Sequence, residues 1–308
     1  MDNKEYDITI VGYGPAGITA AIYAARKRLS VALIGELPGG EVRNSGDIEN
    51  WPGDGATDGN TLADKLIAHL KTHLDAVTIF QEKVTKVEKA KNGFTTTTES
   101  GKTLASKTII YTAGRHPRLL NVPGEVEFKN RGVSYCATCD APLFPDKDVV
   151  VIGGGNTGAE AVIMFQKIAR KIYLLHNTDK LAADPILVDN FKDDPKVTII
   201  YNTKTTKIKG KGMVASLTYE NSNGKEETIP VEGVFVTIGA IPNTAPVKEL
   251  IPLNPLGAIP ADRYGITSIP GFFTAGDVTD IRDAQIVVAA GHGCSAALSA
   301  GDYISRLQ

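Results

Sequence analysis

Apolar residues gather twice into a short run that ends at a cluster of glycines: Ile8-Thr-Ile-Val11 before Gly12, interrupted by one threonine, and Val149-Val-Val-Ile152 before Gly153. Short apolar runs closed by a turn signal predict strands buried on both faces. Behind each, the pattern changes to an alanine-rich helix, GITAAIYAAR after the first and GAEAVIMFQK after the second. Residues 76–113 then read as β-rich, in VTIF, KVTKVEKA, FTTTTES and TIIYTAG, with turns at Asn92-Gly93 and Ser100-Gly101. The same order returns later as VTIIYNTKTTKIKG, ASLTYE, a turn at Asn223-Gly224 and GVFVTIGA. Self-similarity of this kind marks an internal repeat of one structural unit.

The last segment, GITSIPGFFTAGDVTD with the helix AQIVVAAGHGCSAALSAGDYI, has no counterpart in the second unit. The simplest topology returns it to the first. Proline-marked crossings at Gly114-Arg-His-Pro117 and Ala240-Ile-Pro-Asn243 are the natural boundaries. The expected fold is therefore α/β, with two nucleotide-binding, Rossmann-like domains of three ββα layers. One is discontinuous, 1–115 plus 245–308, and the other, 116–244, is inserted into it. In the helix LADKLIAHLKTH, Leu62, Leu66, Leu70 and Leu74 form the expected buried stripe. His69 and His73 lie beside it at a spacing that suits a metal, but without further ligands they read as a solvated face.

The two glycine clusters are Gly12-x-Gly14-x-x-Gly17 and Gly153-x-Gly155-x-x-Gly158. Each stands between a predicted strand and a predicted helix, the context a dinucleotide fingerprint requires. The first glycine makes the tight turn, the second lets the backbone approach a pyrophosphate, and the third packs helix against strand.

Composition narrows the function. A chain of 308 residues with 42% hydrophobic and 22% charged residues suits two folded domains. With 33 basic against 35 acidic residues it has no field to hold a polyanion, so neither nucleic acid nor an acidic membrane is an expected partner. MDNKEYDITIVG passes from charge directly into a strand, without a signal peptide's apolar region. No apolar run approaches the roughly 18 residues of a spanning helix. A cytoplasmic location follows as an expectation, and in that reducing compartment a close cysteine pair is catalytic or metal-binding rather than structural.

Two of the three cysteines lie in Tyr135-Cys-Ala-Thr-Cys-Asp140. A structural zinc site needs four ligands, and no second pair exists to supply them. Cys294, in Gly-His-Gly-Cys-Ser-Ala-Ala-Leu, is expected to be small, buried and inert, and His292 a packing or cofactor-edge residue. A redox couple needs two sulfurs close enough to bond, a lowered thiol pKa and a group to move protons. Cys136, Cys139 and Asp140 are the candidates. On spacing alone, Asp140 is equally a solvated surface carboxylate or a general acid–base.

At this point the residues resemble a family. GYGPAGITAAIYAAR, IENWPG (Ile48 to Gly53), TAGRHPR (Thr112 to Arg118), GVSYCATCD, VVVIGGGNTGAE, TIGAIPNT and GFFTAGDV, in this order, are similar nearly end to end to the bacterial-type, low-molecular-weight thioredoxin reductases and their close flavoprotein relatives. The resemblance implies an FAD domain made of the first and last segments and a pyridine-nucleotide-type domain carrying the cysteines. It also implies domain rotation about the two crossings, a thioredoxin-like protein as substrate, and a homodimer. Gly12, Gly14, Pro15, Ala16 and Gly17 would wrap the FAD pyrophosphate, and Glu36 would reach the adenosine ribose. Gly40, Glu41, Asn50, Val84, Thr112, Ala113, Gly114, Gly276, Asp277, Gln285 and Ile286 complete the implied FAD site, the last two at the start of a helix whose N-terminus favours charge on reduced flavin. Cys139 would face the flavin, Cys136 would attack the substrate disulfide, and Asp140 would handle the proton.

Departures from the family concern the electron donor. The arginines that grip the NADPH 2′-phosphate align with Asn177, Thr178 and Ala182, in Leu175-His-Asn-Thr-Asp-Lys-Leu-Ala-Ala183, and a further one with Ala284. His176 and Lys180 present no bidentate fork. Losing charge-assisted contacts of about 1.5–3 kcal/mol each would weaken NADPH by orders of magnitude, so NADPH is not the expected donor. Leu175 to Thr178 also lacks the acidic residue of a tight NAD site, with Asp179 only a displaced substitute. Ferredoxin or another reductant as donor, a dithiol oxidase running the pair in reverse, an NAD(P)H-dependent reductase with an altered site, and a non-turning-over flavoprotein sensor stay open as alternatives. Glu41, where the family has glutamine, puts a carboxylate near the flavin and is expected to lower its potential by about 30 mV per 1.4 kcal/mol.

Overall fold

A computed structural model describes residues 5–45 and 47–307. The chain divides into two compact units, Met1–His116 with Ile241–Gln308, and Pro117–Ala240. Both are Rossmann-like α/β units, the fold class the repeated pattern predicts. β1 (Glu5–Val11) leads through the first glycine turn into α1 (Pro15–Arg26), which opens on a proline whose fixed φ and missing N–H suit a first turn. β2 (Val31–Ile34), α2 (Gly59–Lys71) and β3 (Val77–Phe80) extend a parallel sheet, with β1 beside β2 and β2 beside β3. β4 (Val84–Ala90) and β5 (Gly93–Thr98) form an antiparallel hairpin closed by Asn92-Gly93. The long β6 (Thr103–Tyr111) serves both: residues 103–106 pair antiparallel with β5, and residues 105–111 run parallel to β1.

The inserted unit holds β7 (Val133–Ser134), α3 (Ala137–Asp140), β8 (Asp148–Ile152), α4 (Asn156–Gln166), β9 (Lys171–Leu175) and β10 (Val197–Ile200). β11 (Lys204–Lys211), β12 (Met213–Glu220) and β13 (Glu226–Pro230) make a separate antiparallel sheet, after which β14 (Gly233–Val236) enters the parallel sheet, ordered β7-β14-β8-β9-β10. In this unit the hairpin layer is detached, whereas in the first it is continuous with the main sheet. The chain then returns: β15 (Phe272–Thr274) pairs parallel with β6, and α5 (Ile286–Ser305) packs on the first unit's core.

Strand alternation assigns each face. Ile8 and Ile10 join the helix-side core with α1 and α5, while Val11, of opposite parity, faces the other layer with Phe94 and Phe272; Tyr6, near the start of β1, joins that layer out of alternation. Val149 and Val151 likewise face α4, and Val150 and Ile152 face the three-stranded sheet. Both faces of both parallel sheets are buried, which explains why the strand sequences are apolar at nearly every position.

Two expectations need correction. The leucine stripe of α2 does not reach Leu74, which is 53% exposed: the helix stops at Lys71, where Thr72 and His73 donate back to His69 O and Leu70 O, and Ala63 and Ile67 complete the buried face instead. Cys294 is half-buried rather than buried, since its position on α5 leaves part of the side chain accessible. Among the described residues no acidic, histidine or cysteine cluster could hold a metal, and no helix is long and apolar enough to cross a membrane.

Candidate active site

The first fingerprint closes by backbone contact. Gly12 takes φ +119°, and a Cβ there would strike the carbonyl of Thr112; a Cβ at Gly17 would strike the carbonyl oxygen of Gly12. Thr112 Oγ1 donates to Val11 O at 2.9 Å, locking the end of β6 over the turn. Gly14 caps α1 with no side-chain hydrogen bond, and its own Cβ position meets only Gly40 Cα, 3.8 Å away. The helix thus presents its first N–H groups at an uncluttered glycine surface, the chemistry a pyrophosphate takes. Gly40, with φ +61°, lies close enough that a Cβ would come within 2.8 Å of Gly14 Cα.

Residues far apart in sequence meet around this turn. Asn50 Nδ2 donates to Gln285 Oε1 at 3.2 Å, across 235 residues, with Gln285 at the N-cap of α5 and Ile286 its first residue. Gly276 packs against Ala16, and its N–H donates at 3.2 Å to His292 Nδ1, which puts the proton of the neutral ring on Nε2. Burial pulls the His292 pKa down, and Asp262 pulls it back by less. Ala113 O accepts from Asn243 Nδ2 at 2.7 Å, and Gly114 O from Asn243 N–H at 3.0 Å. Glu36, Glu41 and Val84 stand outside these contacts. Glu36 is exposed just past β2, Glu41 is exposed and accepts from Asn44 at 3.3 Å, and Val84 is buried at the start of β4. Arg115, His292 and Gly293, whose Cβ would strike Ala16 O, belong to the assembly although only topology discloses the first and last.

Asp277 lies 3.7 Å from Arg115 Nε, in a packed recess that leaves about a third of its side chain accessible. Desolvation by the recess raises its pKa, and Arg115 lowers it by less. The folded chain therefore binds this proton more tightly than the unfolded chain, so ionising it subtracts stability as pH rises above the ordinary carboxylate range. Asp277→Asn is expected to raise the melting temperature of flavin-free protein at about pH 7 and to raise it much less at about pH 3.5, where the carboxyl is mostly protonated in both states. Thermal melts at the two pH values check this; an Asn variant that melts lower at neutral pH contradicts it.

The second fingerprint repeats the clasp, with Gly153 under the Thr237 carbonyl, Gly158 over Gly153 O, and Thr237 Oγ1 donating to Ile152 O at 2.9 Å. Its surroundings differ. His176 Nδ1 accepts the Gly154 N–H at 3.1 Å, His176 Nε2 and Thr178 Oγ1 are 2.9 Å apart, and Thr178 Oγ1 donates to Lys180 O at 2.9 Å. Ala182 and Ala183 donate backbone N–H groups to Gly154 O, and Asp184 and Asn156 bond reciprocally at the start of α4. Asn177 and Ala182 point into solvent. No guanidinium is carried at the three aligned positions, 177, 178 and 182.

Within the same unit, Cys136 and Cys139 are closed as a disulfide, with Cα atoms 5.4 Å apart. Cys136 is the N-cap of the four-residue α3, and the Cys139 N–H points at its sulfur, 3.2 Å away. A helix N-terminus favours a thiolate once the bridge opens. Asp140 is half-buried: its backbone N–H reaches Cys136 O at 3.1 Å, and its Oδ2 accepts from Ser134 Oγ at 2.6 Å. Behind the pair, Tyr135 OH donates at 3.0 Å to Glu125, a fully buried carboxylate that also accepts from Leu120 N–H and Asn121 N–H at 2.8 and 2.7 Å. Burial first, and the Glu125 charge second, raise the Tyr135 pKa, so this hydroxyl stays a donor.

Two nucleotide-type units in one chain, one of them bearing a closed dithiol three residues apart, define a disulfide oxidoreductase. The chain belongs to the pyridine nucleotide-disulphide oxidoreductase family, whose model matches residues 6–293. It is 42% identical to an alkyl hydroperoxide reductase subunit of Staphylococcus aureus (strain MRSA252) over 99% of its own length, and spans 61% of that protein. It is equally 42% identical to NADH dehydrogenase of Bacillus subtilis (strain 168), spanning 60% of it. The crystal structure of thioredoxin reductase from Streptococcus pyogenes MGAS5005 superposes with a TM-score of 0.93 at 38% identity, covering 99% of this chain and all of that one.

Proposed function

We propose that the chain passes electrons from FAD through the Cys136–Cys139 pair to the disulfide of a thioredoxin-like protein. The closed Cys136–Cys139 bridge, in a chain of this family, is the observation that carries the reading. The likeness to a thioredoxin reductase over the whole chain supports the acceptor. Family members and thioredoxin reductases bind FAD, and the residues present fit it: an uncapped helix N-terminus behind Gly14 for the pyrophosphate, Asp277 in its recess, and the Asn50–Gln285 pair at the mouth of α5. Flavin, when bound, supplies two-electron transfer to the disulfide. Ala16, Gly17 and Gly40 would hold the pyrophosphate, Cys139 would take the flavin side of the pair, Cys136 the substrate side, and Asp140 would move the proton. A homodimer belongs to the same proposal.

NADPH is not the preferred donor, because Asn177, Thr178 and Ala182 offer its 2′-phosphate no guanidinium. A second reading has NADH as donor. It is favoured by the Bacillus subtilis relative named NADH dehydrogenase, and by a loop at 176–184 that carries no 2′-phosphate site yet still wraps the second fingerprint. Anaerobic titration of the yellow protein with NADPH, NADH and reduced ferredoxin, followed by flavin bleaching and then by reduction of added thioredoxin, tests both. The expected result is fast bleaching by NADH or ferredoxin and slow bleaching by NADPH. Rapid bleaching by NADPH at low micromolar concentration overturns the donor assignment, and bleached protein that leaves every disulfide oxidised overturns the proposed function.

A further inference from the structure

Ser134 is 5% exposed and sits at the end of β7, paired in register with the fully buried Phe235 of β14. Its hydroxyl makes two contacts toward the dithiol segment. It accepts the Cys136 N–H at 3.0 Å, and it donates to Asp140 Oδ2 at 2.6 Å, the acceptor a hydroxyl proton prefers over the Cys136 carbonyl 3.3 Å away. One oxygen on a rigid strand thus joins the backbone of the first cysteine to the carboxylate four residues on.

The helix that carries Asp140 cannot hold it alone. α3 has four residues, too few to be stable by itself, and the disulfide that pins its first turn is the bond that breaks in each cycle. A fixed point outside the helix is required, and Ser134 is on the sheet.

We propose that Ser134 is a positioning residue for thiol–disulfide exchange, holding the Asp140 carboxyl group against the Cys136 backbone so that the proton carrier keeps its place while the pair opens and closes. The inference rests on the dithiol reading above. In the exchange it serves, the Cys136 thiolate bonds to one sulfur of a substrate disulfide, the substrate S–S bond breaks, and the departing thiolate takes the proton of the Asp140 carboxylic acid. The carboxylate then takes the proton of the Cys139 thiol. Cys139 bonds to Cys136 Sγ, and the second substrate thiolate leaves with that proton. Two electrons pass to the substrate, which ends as two thiols, and the enzyme ends with one S–S bond and an ionised Asp140.

The test uses the 308-residue chain in a Cys294→Ser background, so that the pair supplies its only cysteines. The protein is reduced with dithiothreitol, desalted anaerobically and mixed with 2-hydroxyethyl disulfide, whose aliphatic leaving thiolate needs a proton. Acid quench, alkylation and mass measurement give the rate at which the pair closes across a range of pH. Ser134→Ala is expected to slow closure about tenfold, a fraction of what a general acid contributes, and to move to higher pH the inflection that Asp140→Asn abolishes. Ser134→Thr, which keeps the hydroxyl, is expected to stay within about twofold of the parent with its inflection in place. An unchanged rate and inflection in Ser134→Ala, or a Thr variant that falls as far as the Ala variant, overturns the role of Ser134 while leaving the dithiol reading intact. A parent protein whose pair never closes with the disulfide overturns that reading, and this inference with it.

Discussion

Cys139→Ser is expected to lower turnover of a protein disulfide by at least about 10³-fold while the protein stays yellow, because only one of the two sulfurs that must bond is left. The remaining Cys136, at the N-cap of α3, keeps its nucleophilic position and attacks a substrate disulfide once. No second thiol then stands three residues away to displace the substrate, so a mixed disulfide between Cys136 and the partner accumulates. Intact-mass measurement after incubation with oxidised thioredoxin shows that adduct, and pyridine nucleotide or ferredoxin consumption shows the lost turnover. Cys136→Ser is expected to lose turnover equally but to form no adduct. A Cys139→Ser variant that turns over at a tenth of the parental rate or faster would remove the pair from the mechanism.

The second large effect is a gain. Asn177→Arg combined with Ala182→Arg is expected to lower the KM for NADPH by about 10²-fold, two partly solvated charge-assisted contacts each falling short of the full 1.5–3 kcal/mol. Both positions face solvent, so neither replacement displaces a packed group. Thr178 is left alone deliberately. Its hydroxyl accepts from His176 and donates to Lys180 O, and His176 in turn holds the Gly154 N–H, so an arginine there would undo the loop it is meant to equip. Steady-state kinetics with NADPH and NADH side by side provide the check: the gain should appear for NADPH and leave NADH within about twofold, since only the former carries the phosphate. Equal gains for both would mean that the arginines act as general positive charge and that the 2′-phosphate lies elsewhere.

Much of this was legible because the requirements are local. The turn at Gly12 needs a left-handed backbone with no Cβ, and the contact of Gly17 with it needs none either; both demands are written into six consecutive residues, and again at 153–158. Cys136 and Cys139 were equally readable, since a spacing of three residues at a helix start brings two sulfurs together by geometry alone. Pairings made by topology were not. Asn50 and Gln285 meet only because α5 returns to the first sheet, and Arg115 reaches Asp277 for the same reason. Leu74 continued the stripe of α2 in sequence yet fell outside it, since periodicity carries no mark of where a helix stops when no glycine or proline announces the end. Cys294 was misjudged from its small neighbours, which carry no mark of how much of that face of α5 the fold leaves open.

Thr112 and Thr237 fasten the two glycine turns from inside their own sheets, each by one hydroxyl on the preceding strand's last carbonyl. Neither turn therefore depends on a bound nucleotide for its shape. A lineage built on such turns is free to exchange the side chains that select one nucleotide over another, losing arginines here or gaining them there, without unravelling the surface on which the choice is made.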